Sequence, residues 1–162
     1  MLLLGTCNPA GEHASYNGLY YTQDELQEMV LSGQLRNIPV KQEHTGSEVG
    51  RVVSSFITSS GALQCVMEVD SSTVEGSIAA GFVRDGIAAD LSLGYTVDVK
   101  HTGQKLQAGA KQVLEISLVR RGARRGCHVL AYQEPGHDMV YNSDANSAWD
   151  CFDMSDGVGA AI

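Results

Sequence analysis

The sequence predicts an α+β fold, a mostly antiparallel β-domain with two helices, and three observations carry that reading. Runs of alternating apolar and polar residues recur along the chain, one pair of them flanks a tight polar turn, and two segments carry helix-start signatures. At 162 residues the chain suits one domain around one core, and 43% apolar residues without a long apolar run indicate a soluble globular fold.

Taken in order, Leu2 to Leu4 suit a short first strand, followed by a polar, glycine-containing loop to Gly18. Thr22-Gln23-Asp24-Glu25 reads as a capping box, so a helix of about ten residues follows, with Leu26, Met29 and Val30 inward and Gly33 as its stop. Ile38-Pro39-Val40 starts a strand that leads to His44. Val49 to Ile57 and Ala62 to Val69 flank Thr58-Ser59-Ser60-Gly61 and form the clearest hairpin. Ser72 and Glu75 stand three apart and predict a second helix to about Arg84, with Ile78, Phe82 and Val74 on its buried face. In Ala89 to Val99 the alternation puts Leu91, Leu93, Tyr95, Val97 and Val99 on one face and Ser92 on the other. After a turn around Gly103, Val113 to Val119 sends Leu114, Ile116 and Leu118 one way and Glu115 and Ser117 the other. A carboxylate inside a sheet is costly unless something donates to it, so Glu115 calls for a partner. Cys127 to Tyr132 suits a last short strand.

Residues 1–132 therefore form the expected single domain. Residues 133–162 carry Glu134, Asp138, Asp144, Asp150, Asp153 and Asp156 but no Lys or Arg, and predict a flexible acidic tail whose Trp149 and Phe152 can dock on the domain. Met1-Leu2-Leu3-Leu4 is too short for a signal-peptide core and nothing approaches a membrane span, which predicts an intracellular protein without a membrane partner. The four cysteines lack a CxxC pair, and no H-E-x-x-H occurs, so neither a disulfide framework nor a metal or other cofactor is expected. A net charge of −8 weighs against nucleic acid as a partner.

Ser92, His44, Glu115 and the loop Arg120 to Gly126 supply a hydroxyl, an imidazole, an orienting acid and oxyanion donors, the parts a serine hydrolase needs. There is no G-x-S-x-G elbow, which disfavours an α/β-hydrolase. Each part also has a plainer reading. Ser92 suits a tolerated polar-face residue, His44 a solvated loop residue, Glu115 the open side of an edge strand, and the arginines a solvated or anion-binding turn.

The order of the motifs changes that balance. Ile38-Pro39-Val40, His44 and Val49-Gly50-Arg51-Val52 resemble the strand, His and V-G-x-V segment of tailed-phage prohead proteases. Asp90-Leu91-Ser92-Leu93-Gly94-Tyr95 is similar to their L-S-I-G-Y nucleophile strand, and Leu114-Glu115-Ile116-Ser117-Leu118-Val119 to the L-x-E-(V/I)-S-L-V strand that follows. Arg124-Arg125-Gly126 and Leu130-Ala131-Tyr132 also resemble the arginine-rich loop of herpesvirus assemblins, capsid maturation proteases that share the prohead fold. The resemblance spans Ile38 to Tyr132.

What the resemblance implies is a compact antiparallel β-barrel surrounded by helices, and a capsid maturation serine endopeptidase. Ser92 falls on the nucleophile and His44 on the general base. Glu115 falls where assemblins place a second histidine and where the phage enzymes have glutamate, so a Ser-His-Glu triad is implied. The oxyanion site falls on the Ala123 or Arg124 amide and the Arg124 side chain, with Arg125 structural. The implied substrates are the scaffold protein and extensions of the major capsid protein, the implied assembly is a homodimer, and release is by self-cleavage. The implied place is the assembling procapsid in the host cell: the nucleus for a herpesvirus-like source, the cytoplasm for a phage. The competing reading is a catalytically silent, protease-like module of scaffold or capsid assembly.

Overall fold

The computed structural model describes residues 1–11, 19–103 and 105–142. Among them the chain forms β1 (Leu2–Asn8), α1 (Gln23–Leu31), β2 (Pro39–Gln42), β3 (Thr45–Ile57), β4 (Leu63–Val69), α2 (Val74–Arg84), β5 (Asp90–Thr102), β6 (Lys105–Val119), β7 (Val129–Gln133) and β8 (Val140–Tyr141). The strands make one sheet in the order β5-β6-β2-β3-β4-β1-β7-β8. Among the described residues only the β2–β6 pairing is parallel, in line with the expected mostly antiparallel α+β class.

The sheet is not the closed barrel that the resemblance implies. It curls until the start of β5 meets the residues leading into β7, but the contact is an isolated bridge between Asp90 and His128. Two backbone bonds flank it, from Leu91 N–H to Cys127 O and from Val129 N–H to Ala89 O, each 2.9 Å. Beyond that point β7 turns to pair with β8, while β5 runs on with β6 as a long ribbon, so no ladder closes the ring. Nor do helices surround it: among the described residues, two pack against the sheet.

The first helix follows its sequence signature. Thr22 accepts from the Glu25 N–H at 3.1 Å while Glu25 accepts from the Thr22 N–H at 2.7 Å, closing the capping box. At the other end the Gly33 N–H bonds Val30 O and the Gln34 N–H bonds Met29 O, a Schellman stop that needs the positive φ of Gly33 (70°). Leu26 and Met29 are buried, and Val30 packs against the core. The second helix departs from expectation. Thr73, rather than Ser72, is its N-cap and accepts from the Gly76 N–H, because Ser72 donates to the Asp70 carboxylate. Ala79, Ala80 and Val83 face the sheet, whereas Val74 is 72% and Ile78 49% exposed. Two alanines thus make up much of the buried face, and Phe82 packs against the core beside them as expected.

A bulge also reverses one expectation in β6. Gly94 pairs with Glu115 but Tyr95 pairs with Val113, so Leu114 is the extra residue and is half exposed, while Val113 takes the core-facing place. The main core fills one side of the sheet with Leu3, Leu26, Leu35, Val40, Met67 and Ile116 among others, and a smaller cluster of Leu4, Val66, Leu130 and Ala131 lies on the other. Residues 133–142 return along the sheet: β8 pairs with β7, Met139 packs on the smaller cluster, and Arg84 Nε donates to Glu134 at 3.0 Å. Trp149 and Phe152 lie outside the described residues.

One ion pair ties α1 to the ribbon. Lys111 Nζ donates to Glu25 Oε1 at 2.7 Å and stands 5.4 Å from the centre of the Tyr21 ring. Burial pushes the Glu25 carboxyl up, but Lys111 and the Thr22 N–H outweigh it and hold it below its ordinary range. A carboxyl depressed in the folded state contributes stability that is full above the unfolded glutamate value of about 4.3, and loses it as pH falls through the folded value. Glu25→Gln keeps the cap and removes the charge, so thermal melts should show a Tm about 2–4 °C below wild type at pH 7 and no difference near pH 2. An equal deficit at both pH values would mean that packing, not the ion pair, is what the mutation removes.

Candidate active site

The site is assembled where β2, β5 and β6 lie side by side. Because β2 runs parallel to β6, with Val40 opposite Ile116 and Gln42 opposite Leu118, its end delivers the β2–β3 turn beside the polar face of β6. The turn is two residues, Glu43 and His44, between the paired Gln42 and Thr45, and both have positive φ, 48° and 60°. This is the mirror-image hairpin turn that normally takes Asn-Gly, so a glutamate and a histidine there are held against backbone preference. Three contacts hold them: Glu43 N–H to Leu118 O (3.1 Å), His44 N–H to Ser117 Oγ (2.9 Å), and the Arg120 N–H to Glu43 Oε1 (2.8 Å).

Antiparallel pairing of β5 with β6 puts Ser92 opposite Ser117 and Gly94 opposite Glu115. The Glu115 side chain lies across Gly94, where an added Cβ would stand 1.9 Å from Oε1. Its Oε1 accepts from His44 Nδ1, and its Oε2 accepts from Ser117 Oγ at 2.6 Å. Glu115, His44 and Ser117 thus form a closed ring of hydrogen bonds, since Ser117 Oγ also accepts from the His44 backbone. On the far side of the imidazole, His44 Nε2 is 2.9 Å from Ser92 Oγ. A carboxylate can only accept, so His44 Nδ1 carries the proton of the neutral ring and Nε2 is left to accept from the Ser92 hydroxyl. The Glu115 side chain is 11% exposed and that of His44 42%, so the acid is shielded while the ring reaches the surface.

Ser92 and His44 border a cleft of about 600 Å³ whose other wall is the loop after β6, from Arg121 to Gly126. The Gly122 N–H is engaged by Asp90 Oδ2 at 2.8 Å. Ala123 and Arg124 come next on that wall. The Arg124 side chain turns inward: its guanidinium stacks on Tyr21 and Tyr95, with Cζ 5.2 and 5.5 Å from the ring centres, and donates to Tyr95 Oη at 3.1 Å. Arg125 is exposed on the cleft wall. Of the two arginines, Arg124 is buried and Arg125 faces solvent, and both line the cleft. Burial holds the Tyr21 phenol well above its ordinary range, so the tyrosine beneath Arg124 stays neutral.

All three distant residues singled out in the sequence meet here, and four others join them. Gly94 and Ser117 sit at the i+2 positions from Ser92 and Glu115 on the same strand faces, so alternation alone marks them. Asp90 precedes Ser92 by the same step. His128 carried no signal in the sequence beyond being one of five histidines. Among the described residues no group of three His, Cys, Asp or Glu side chains is placed to hold a metal ion. Chemically the arrangement joins an acid, an imidazole and a hydroxyl in line, opening on a cleft whose opposite wall is the loop from Arg121 to Gly126.

No family model and no curated protein sequence matches the chain. Among solved structures it is similar to Kaposi's sarcoma-associated herpesvirus protease bound to an allosteric inhibitor, at 19% identity over 94% of this chain and 83% of that one, with a TM-score of 0.49. A room-temperature crystal structure of that protease with an allosteric inhibitor gives 19% identity over 94% and 81%, with a TM-score of 0.48. The protease in complex with a dimer disruptor gives 0.42 at the same identity and coverage as the room-temperature structure.

Proposed function

We propose that the protein is a serine endopeptidase that uses Ser92, His44 and Glu115. The observation that carries this reading is the line Glu115 Oε1, His44 Nδ1, His44 Nε2, Ser92 Oγ, with the last step at 2.9 Å, on the rim of the cleft. In the reaction His44 Nε2 takes the Ser92 proton as Oγ attacks a peptide carbonyl, and Glu115 stabilises the resulting imidazolium. The Ala123 and Arg124 amides, on the opposite wall, take the developing oxyanion, and the stacked Arg124 side chain braces the loop that carries them. The imidazolium then protonates the leaving amine as the C–N bond breaks, and a water deprotonated by the same ring releases the acyl group.

The sequence resemblance to prohead and assemblin proteases supports a narrower assignment: capsid maturation. The substrates are then the scaffold protein and the extension of the major capsid protein, the enzyme frees itself from a precursor by self-cleavage, and it works as a homodimer inside the assembling procapsid. The test is to express the chain with the C-terminal extension of its own precursor and follow intact mass, alongside labelling by a serine-reactive fluorophosphonate. Wild type is expected to shorten and to take the label, and Ser92→Ala to do neither. Wild type and Ser92→Ala staying equally full-length and unlabelled at high protein concentration would replace this reading with the silent assembly module.

A further inference from the structure

A second histidine–carboxylate pair lies beside the cleft, and the triad does not use it. His128 Nδ1 is 2.7 Å from Asp90 Oδ1, and Asp90 Oδ2 accepts from the Gly122 N–H at 2.8 Å. Asp90 is also where both feet of the cleft loop land: Val119, the last residue before the loop, pairs with it across β5–β6, and His128, the first after it, pairs with it in the isolated bridge. The loop from Arg120 to Cys127 is thus a closed excursion anchored at its base by one residue. The side chain of that residue adds a hinge-side contact, to Gly122, and a return-side contact, to His128. Gly122 can approach only because it lacks a side chain, since a Cβ would stand 2.9 Å from Leu91 O.

We propose that Asp90 and His128 are positioning residues for the cleft loop: the Asp90 carboxylate, held in orientation by His128, fixes the Gly122 amide and thereby sets where the following Ala123 and Arg124 amides stand relative to Ser92. Asp90 and Ser92 are two residues apart on one strand face, so the same rigid strand carries the nucleophile and the anchor of the groups that face it. Preorganisation of oxyanion donors is what gives them their value in the transition state, and a loop free to shift its amides by an ångström forfeits much of it. The pair is connected to the loop and not to the imidazole of His44, whose own acid is Glu115.

This inference rests on the proposed endopeptidase reading, and its test separates the two. Asp90→Ala is expected to lower kcat about 10²-fold with KM within about threefold, the pattern of a lost transition-state contact. Asp90→Asn, which can accept from Gly122 and donate to the other tautomer of His128, is expected to recover most of that loss, and His128→Ala to fall between the two. Amide hydrogen exchange at Gly122 and Ala123 is measured in parallel on an inactive Ser92→Ala background, where Asp90→Ala and His128→Ala should each accelerate it. If the wild type cleaves nothing, the catalytic reading fails while the exchange data still decide the clasp. Unchanged exchange at Gly122 in both variants, or a loss confined to KM, would overturn it. Should Asp90→Ala not unfold cooperatively, His128→Ala carries the same measurements.

Discussion

His44→Ala is expected, on the proposed mechanism, to lower kcat by roughly 10⁶-fold, since loss of the general base of an acid–imidazole–hydroxyl relay costs about as much as loss of the whole relay. The same position makes a second, independent demand, because His44 holds a φ of 60° in the β2–β3 turn. Alanine there keeps the left-handed strain and glycine relieves it, whereas both remove the ring. His44→Gly should therefore be more stable than His44→Ala by about 1 kcal/mol, the reverse of the usual order at an ordinary position, while the two are equally inactive. Single-turnover cleavage and denaturant melts on the pair settle both points. Activity in His44→Ala within tenfold of wild type would remove the imidazole from the reaction. A more stable alanine variant would show that the turn is not strained. The strain of the Glu43-His44 turn is offset by the bonds from Glu43 N–H to Leu118 O, from His44 N–H to Ser117 Oγ and from Arg120 N–H to Glu43 Oε1, and on the proposed mechanism it is stability exchanged for the reach of His44 to Ser92.

What the sequence shows of this site follows from what a period of two can encode. Ser92 and Glu115 are legible because alternation assigns each a strand face, and the capping box of α1 is legible because its four residues are contiguous. Convergence is a different matter. That His44 lies beside Glu115 depends on one parallel pairing, Val40 with Ile116, between segments far apart in the chain, and no local pattern announces it. The exposure of Leu114 was hidden for a related reason: the bulge between Gly94 and Tyr95 shifts the register by one, and one residue is enough to exchange the faces. The open sheet and the outward Ile78 likewise reflect tertiary choices, the departure of the β5–β6 ribbon and the seat of α2 on its alanines, that amphipathic patterns do not contain. His128 was out of reach altogether, since its meaning comes from a single bridge across the sheet seam.

Gly94→Ala is the sharper expectation, because it tests the geometry without touching a reacting group. The new Cβ would lie 1.9 Å from Glu115 Oε1, 2.6 Å from Cδ and 2.9 Å from Cγ, so the whole end of that side chain must move off the strand. The backbone is not in conflict, which makes the displaced carboxylate the main consequence. Once it swings away, His44 Nδ1 loses its acceptor and the imidazole is free to take the tautomer that points a proton at Ser92. The expected result is a fall in kcat of about 10⁴-fold with KM little changed, the scale associated with a misoriented histidine. Stability should drop by only about 1–3 kcal/mol for the disturbed buried carboxylate. Gly81→Ala is the control: in α2 its Cβ meets nothing nearer than Arg84 Nη1 at 3.9 Å, so activity should stay at wild type while helix propensity adds up to about 1 kcal/mol. The decisive comparison is with Glu115→Gln. If Gly94 matters because it makes room for the acid, the double variant loses little beyond Gly94→Ala alone, whereas independent roles would multiply the two losses.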